Sequence, residues 1–281
     1  MPTDRDVVPG AWFDSHAHLY LMDEDSPREE MLAGAEAAVR AAQEAGVVGV
    51  LCPGIDTPSN EAAILLARRC PGTVWAAVGV HPNSAAECGD EDWERVAAWV
   101  GDPAVKAIGE TGLDRYRDHT PWNVQCDWFR RHLELAVRSG LPAVIHCRDA
   151  EEEMTPFLRE FAAQGLRGVM HACAASWNDV ETWLELGLFI SFAGSVTYRN
   201  RKFEAIRETA RRVPPERILV ETDAPFLTPE PLRGRVPQCR VEYVAHTGAF
   251  VAELRGMPVA ELAAQTARNA ALLFGVSSDN P

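Results

Sequence analysis

The feature that most constrains this chain is an alternation of short apolar segments with amphipathic ones. Eight apolar segments, Trp12–His18, Val47–Cys52, Val74–Val80, Val105–Glu110, Pro142–Cys147, Gly168–His171, Leu188–Phe192 and Ile218–Asp223, are separated by stretches rich in Ala, Glu and Arg. Most of the eight are continuously apolar, the pattern of parallel strands covered on both faces. The stretches Arg28–Ala45, Pro58–Arg69, Asp92–Val100, Trp122–Arg138, Ala150–Ala163, Asn178–Leu186 and Arg201–Arg212 predict helices, followed by two more around Val241–Leu254 and Val259–Phe274. Thr57-Pro58 and Thr120-Pro121 read as helix starts, and Gly46, Gly140, Gly165 and Gly187 as helix stops. A strand–helix unit repeated eight times predicts an α/β fold, a TIM-type (β/α)8 barrel, because eight is the number of parallel strands that closes one. The 281 residues suit a single barrel domain over about 11–275, with Ser277–Pro281 fraying at the end.

Composition narrows the function classes. Against 41 Asp and Glu stand 27 Lys and Arg, a net charge of −14, and the only lysines are Lys106 and Lys202. That balance argues against a broad nucleic-acid-binding surface, which needs a basic stripe, but leaves room for a deep site that takes one strand end. No apolar run reaches the roughly 18–20 residues of a membrane helix, and Met1 to Trp12 mixes acids and bases without the apolar core of a signal peptide. The seven cysteines are scattered and form no CxxC pair. They read as reduced, mostly buried thiols of a cytoplasmic protein rather than as a disulfide framework or a cysteine zinc site.

In such a barrel the active site forms at the C-terminal ends of the strands. The first segment ends Asp14-Ser15-His16-Ala17-His18, the fourth ends Gly109-Glu110, the fifth reaches His146, the sixth ends at His171 and the eighth ends Glu221-Thr222-Asp223. A lone strand-end histidine is more often a hydrogen-bonded rim residue than a ligand, and a lone carboxylate there is more often an ion pair or a helix cap. Four histidines and two carboxylates meeting at one rim is a different matter, because that much buried negative charge is costly without cations. The two-residue period of a strand puts His16 and His18 on one face, with Asp14 placed to orient a ligand imidazole from behind. Imidazole and carboxylate without thiolate suit zinc, manganese, iron or magnesium. Six ligands exceed one tetrahedral ion but suit two divalent ions bridged by a carboxylate, which would clamp both the attacking and the leaving oxygen of a displacement. Glu110 is the candidate bridge, since Lys106 lies four residues earlier, inside the strand. Trp122, Trp128 and Phe129 fall on one helix and read as packing, while His119, His132 and His246 fall away from the strand ends and take no role.

Several blocks carry a likeness to a known family. Asp14-Ser15-His16-Ala17-His18-Leu19, Gly79-Val80-His81-Pro82, Ile108-Gly109-Glu110-Thr111-Gly112-Leu113-Asp114, Ile145-His146-Cys147-Arg148-Asp149-Ala150, His171 and Glu221-Thr222-Asp223-Ala224-Pro225-Phe226-Leu227 resemble, in order, the TatD family of metal-dependent deoxyribonucleases. The likeness runs from residue 13 to about 275. It implies a TIM-type barrel with a divalent-metal centre that hydrolyses phosphodiesters, often from the 3′ end of DNA. It also implies that His16, His18 and Asp223 hold one ion, that His146 and His171 hold a second, and that Glu110 bridges them. His81 and Arg148 fall where the family contacts substrate phosphate, and Arg233-Gly234 matches a short basic stretch after the last strand. Two loops depart from the family pattern. His171 is followed by Ala172-Cys173-Ala174-Ala175-Ser176 instead of Cys-Phe-Ser-Gly, and no Asn-x-Pro follows Arg233-Gly234.

The expected reaction is attack of a metal-activated water on phosphorus, with Asp223 taking the proton and Arg148 and His81 neutralising the phosphate oxygens. The expected substrate is a single-stranded DNA end or a small phosphodiester. The competing reading is a hydrolase of a small ester, lactone or cyclic amide, which the acidic balance and the altered loops leave open. A non-catalytic binding barrel would require the whole ligand set to be idle.

Overall fold

A computed structural model describes residues 11–23 and 25–276, so the fraying expected at Ser277–Pro281 lies outside the described residues. Eight strands alternate with helices: β1 (Trp12–Asp14), α1 (Arg28–Glu44), β2 (Val47–Pro53), α2 (Thr57–Arg69), β3 (Val74–Val78), α3 (Asp90–Trp99), β4 (Val105–Asp114), α4 (Trp122–Ser139) and β5 (Ala143–Arg148) come first. Then follow α5 (Glu151–Ala162), β6 (Gly168–Met170), α6 (Trp177–Glu185), β7 (Phe189–Phe192), α7 (Glu204–Arg212), β8 (Ile218–Val220), α8 (Val244–Arg255) and α9 (Val259–Phe274). The strands are hydrogen-bonded in chain order and all parallel. Past the ends of β8 and β1, a parallel bridge between Ala17 and Ala224 and a hydrogen bond from the Asp223 N–H to the His16 carbonyl (2.9 Å) bring the ring round on itself. The expected eight-stranded α/β barrel is therefore the observed one.

Alternate residues of each strand point inward. Phe13, Leu51, Trp75, Ala77, Ala107, Val144, Val169, Phe189 and Leu219 fill the N-terminal half of the barrel, where Ala267, Ala270, Leu273 and Phe274 of α9 pack against them. The outward residues join the helices in a second, larger apolar layer. With one end of the barrel plugged by side chains, polar chemistry is confined to the other.

The longest strand, β4, carries an irregularity that matters to function. Ile108 pairs with Ala143 but Thr111 pairs with Ile145, so β4 spends one residue more than β5 over the same rise. Plain alternation from inward Ala107 would send Glu110 toward the helices; the bulge reverses the phase and turns it into the barrel. The close approach requires glycine: a Cβ on Gly112, at φ 148°, would overlap the backbone carbonyl of His146. Several strands end sooner than the apolar runs suggest, so that His16, His18, His171 and Asp223 lie just beyond them while Glu110 and His146 lie within. The helix starts also shift by a residue: Asp56, not Thr57, caps α2, its carboxylate accepting from the Ser59 N–H at 2.9 Å.

Candidate metal centre

The site is assembled from the open ends of the strands. Buried Asp14 closes β1, and its carboxylate accepts from the backbone N–H of His16 (3.3 Å) and of Thr222 (2.9 Å) and from the Thr222 hydroxyl (2.6 Å). The expectation that Asp14 orients an imidazole is thus corrected. It binds two backbones and sews the segment after β1 to the segment after β8. His16 and His18 flank the Ala17–Ala224 bridge, so they keep to one side of the chain although the regular strand has ended, and their Nε2 atoms stand 3.1 Å apart.

The outer partners of the histidines decide which ring nitrogen offers a lone pair to the centre. The Nδ1–H of His18 donates to the Pro53 carbonyl (3.2 Å), where the Tyr20 hydroxyl also donates (2.9 Å), leaving Nε2 free to ligate. His171 donates from Nδ1 to Glu221 Oε1 (3.3 Å), an oxygen that also accepts from the Ala172 N–H (2.8 Å), so its Nε2 faces inward as an acceptor. His146 works the other way round: Nε2 donates to Asp114 Oδ2 (3.2 Å) and Nδ1 faces the centre. His81 is different in kind. Its Nδ1 accepts from the Asn83 N–H (3.0 Å), which puts the proton on Nε2, 3.4 Å from Glu110 Oε1. His81 therefore presents a donor to the site where the others present lone pairs.

Glu110 sits between two groups of histidines, and its two oxygens divide them. Oε2 lies 3.3 Å from His16 Nε2 and 3.5 Å from His18 Nε2, while Oε1 lies 2.8 Å from His171 Nε2 and 3.2 Å from His146 Nδ1. Asp223 Oδ1 completes the first group at 3.7 and 3.5 Å from His16 and His18. Ligand atoms around one cation with bonds of ~2.0–2.2 Å stand about 3.0–3.5 Å apart. The candidate ligand atoms gather within 4.8 Å of one another in three overlapping groups, His16–His18–Asp223, His16–Glu110–His171 and His81–Glu110–His146. Imidazole and carboxylate groups suit a divalent cation, with His81, whose N–H faces the site, the exception, and no cysteine takes part.

Burial alone would raise the Glu110 carboxyl, but the imidazoles of His171, His81 and His16 hold it well below the usual carboxylate range. Burial likewise opposes charge on His171, yet Glu110 and Glu221 push it well above the ordinary histidine value. His18 and His146 also end raised, against burial, by Asp223 and Glu110 in one case and Asp114 and Glu110 in the other. His16 and His81 end lowered, chiefly by burial. Glu110 is thus held ionised and compensated by protons favoured on His171, His18 and His146, protons that a bound cation would displace.

A cavity of about 760 Å³ opens above these residues, lined by His81, Arg148, Arg117, Lys202, Tyr198 and Phe226 among others. Arg148 reaches it as the sequence predicts, its guanidinium 3.7 Å over the Tyr116 ring. Arg233 does not line the cavity itself; its guanidinium stacks 3.9 Å over Tyr198, which does. The departing loop after His171 contributes only small groups, Ala172 and Ala174. Trp128 and Phe129 are buried packing residues, and Trp122 lies under the Arg115 guanidinium at 3.9 Å.

Sequence reasoning missed Asp114 and Glu221 as partners of ligand histidines, although both stand in the family-like blocks. It also missed His132, buried on α4, which accepts the Val80 N–H on Nε2 at 3.0 Å and so fixes the chain just before His81. Its signal is a histidine on the buried, otherwise largely apolar face of an amphipathic helix.

A parallel barrel with imidazole and carboxylate donors converging at its open mouth defines the class of metal-dependent barrel hydrolases. The model of TatD-related DNases matches residues 13–275, and the chain belongs to this family of metal-dependent hydrolases. It is 34% identical over 265 residues to the uncharacterized metal-dependent hydrolase YabD of Bacillus subtilis, covering 94% of this chain and 99% of that one. It is 36% identical over 240 residues to the 3′-5′ ssDNA/RNA exonuclease TatD of Erwinia tasmaniensis, covering 85% and 92%. Among solved structures, the TatD homolog YjjV of Escherichia coli K12 superposes with a TM-score of 0.84 at 28% identity, over 95% of this chain and 99% of that one. The organophosphorus hydrolase of Deinococcus radiodurans shares the fold, with a TM-score of 0.64 at 14% identity over 96% and 94% of the chains. Among the described residues no helix is long and apolar enough to cross a membrane.

Proposed function

We propose that this chain is a two-cation 3′-5′ exonuclease acting on the free end of single-stranded DNA or RNA. The observation that carries the reading is the division of Glu110, one oxygen toward His16 and His18 and the other toward His146 and His171. His16, His18 and Asp223 would hold one divalent ion, His146 and His171 the other, with Glu110 shared between them; zinc, manganese and magnesium are the candidates. Bound there, the ions supply a water of lowered pKa and positive charge against the phosphate oxygens. The remaining work falls to the chain. Asp223 accepts the proton of the attacking water, a role suited to a carboxylate held ionised by His18 and His16 despite burial. His81 donates from Nε2 to a non-bridging oxygen, and Arg148 pairs with the phosphate at the mouth. Arg233 meets the strand farther out.

The relatives named as ssDNA/RNA exonucleases support this substrate. Seven cysteines, none in a disulfide, support the cytoplasm as the site of action, and the continuous ring of strands supports a single domain. The competing substrate is a small ester, lactone or cyclic amide, favoured by a cavity of about 760 Å³, within the range that encloses a small molecule. The deciding experiment incubates the protein with a labelled single strand and with a panel of small esters and amides, with and without chelator, alongside metal content per chain. The expected result is stepwise release of nucleotides from the 3′ end, abolished by chelator and by Glu110→Ala, with two ions per chain. Ester or amide turnover without any nucleotide release decides for the competing substrate.

A further inference from the structure

Among the described residues three large apolar side chains are strongly exposed: Tyr116 (60%), Phe226 (51%) and Leu272 (71%). Leu272 lies on α9, at the plugged end. The other two stand at the open mouth, following β4 and β8, and in a ring of eight strands the fourth and eighth places are opposite each other. Phe226 lines the cavity over the donors, and Tyr116 packs against Arg148, which lines it too.

Each ring is fixed to the site. The Phe226 N–H is bonded to the Asp223 carbonyl (2.8 Å), and its ring stands edge-on to the His18 imidazole with centroids 6.2 Å apart. The Tyr116 N–H is bonded to Asp114 Oδ1 (2.8 Å), the carboxylate that also holds His146, and the Arg148 guanidinium backs its ring at 3.7 Å. Both rings are therefore set by residues that position the centre, and neither is buried by packing of its own. Arg117, Arg148 and Lys202 line the cavity with Phe226, and both Arg148 (3.7 Å) and Arg117 (5.6 Å) stand over the Tyr116 ring, so cationic groups accompany flat apolar ones there. This combination recognises single-stranded nucleic acid without regard to sequence: bases stack on the rings while phosphates meet the cations.

We infer that Phe226 and Tyr116 are two base-stacking subsites that grip the nucleotides on either side of the scissile phosphate, a role that rests on the nuclease reading above. A net charge of −14 argues against a broad basic surface for holding a strand, so a grip at the mouth would supply what a basic groove supplies elsewhere.

The test uses the full chain loaded with metal and a single-stranded oligonucleotide, intact or with an abasic sugar at the terminal or the penultimate position. In the wild type either abasic sugar raises KM about tenfold, the scale of one lost base stack. Phe226→Leu and Tyr116→Leu each raise KM for the intact strand by a similar factor, leave kcat within about twofold, and lose sensitivity to one of the two abasic positions, whereas Tyr116→Phe behaves as wild type. A 2-aminopurine at the strand end is quenched on binding to Asp223→Asn protein and recovers when the matching aromatic is replaced. Wild-type KM in both leucine variants, or a full abasic penalty that persists in them, overturns the subsites while the nuclease reading stands. If the wild type cleaves no strand at all, the nuclease reading itself has failed.

Discussion

At Asp223 the backbone lies in the left-handed region, φ 56°, a conformation that costs a non-glycine residue on the order of 1–3 kcal/mol. The bonds from its N–H to His16 and from Thr222 to Asp14 hold it there. Asparagine tolerates the same backbone, so Asp223→Asn isolates the charge from the conformation. The expected outcome is a fall in kcat of about 10²–10⁴ with an unchanged melting temperature, read by steady-state kinetics and calorimetry. Asp114 and Glu221 act one step back, through His146 and His171. Replacing either by its amide should weaken the second cation 10–100-fold and leave the first, measured by metal titration followed calorimetrically. An equal loss at both ions would show that these carboxylates support the fold rather than one ligand each. The histidines and Glu110 gathered at the mouth were legible in the sequence because histidine and glutamate are unusual at the end of an apolar run. Asp114 and Glu221 were not, because a carboxylate after a strand is ordinarily a cap or an ion pair, and only the fold brings each to the back of an imidazole.

Among the elements, β4 shows best what a pattern of letters conveys and what it leaves out. The apolar run announces the strand, and Glu110 stands at its expected end. The extra residue that turns Glu110 inward is a matter of pairing with β5, which no single segment reveals. α4 likewise announces itself as an amphipathic helix but hides the use of His132. Its Nδ1–H donates to the Trp128 carbonyl (2.6 Å) while Nε2 accepts the Val80 N–H, so the fold requires the neutral ring. Burial, with Arg131 nearby, lowers this imidazole to about 4, against 6.5 in the unfolded chain. Between those values the unfolded chain binds the extra proton. The stability contribution of the neutral ring is therefore complete above pH 6.5 and is lost as pH falls through 4, to the extent of about 3 kcal/mol. Denaturant titrations of metal-free protein at intervals from pH 7 to 4 should show this loss. His132→Gln, which can still accept the Val80 N–H, should flatten it, and an unchanged acid limb in that variant would assign the loss to other groups.

For the molecule as a whole, electrostatics sets how a substrate of the same sign as the protein can be held. The net charge is −14, and among the described residues the cavity is lined by three lysine and arginine side chains, Arg117, Arg148 and Lys202, with Arg233 stacked on the lining residue Tyr198. Each phosphate neutralised on a single strand contributes about −0.7 to the slope of log affinity against log salt. Three or four contacts thus give a slope of roughly −2 to −3. A protein that grips by stacking and by a local cation centre should lose only about one to two powers of ten in affinity from roughly 50 to 200 mM salt, whereas one that tracks the backbone along a basic groove loses about three to five. KM for a single-stranded oligonucleotide, measured across a potassium chloride series at saturating metal, reads the slope directly. Arg148→Gln should make it shallower by about one contact, and the Tyr116→Leu and Phe226→Leu variants should shift the line without changing its slope, because a ring releases no counterions. A slope steeper than about −5 would mean that the strand runs over a surface beyond the mouth, against the acidic balance of the sequence.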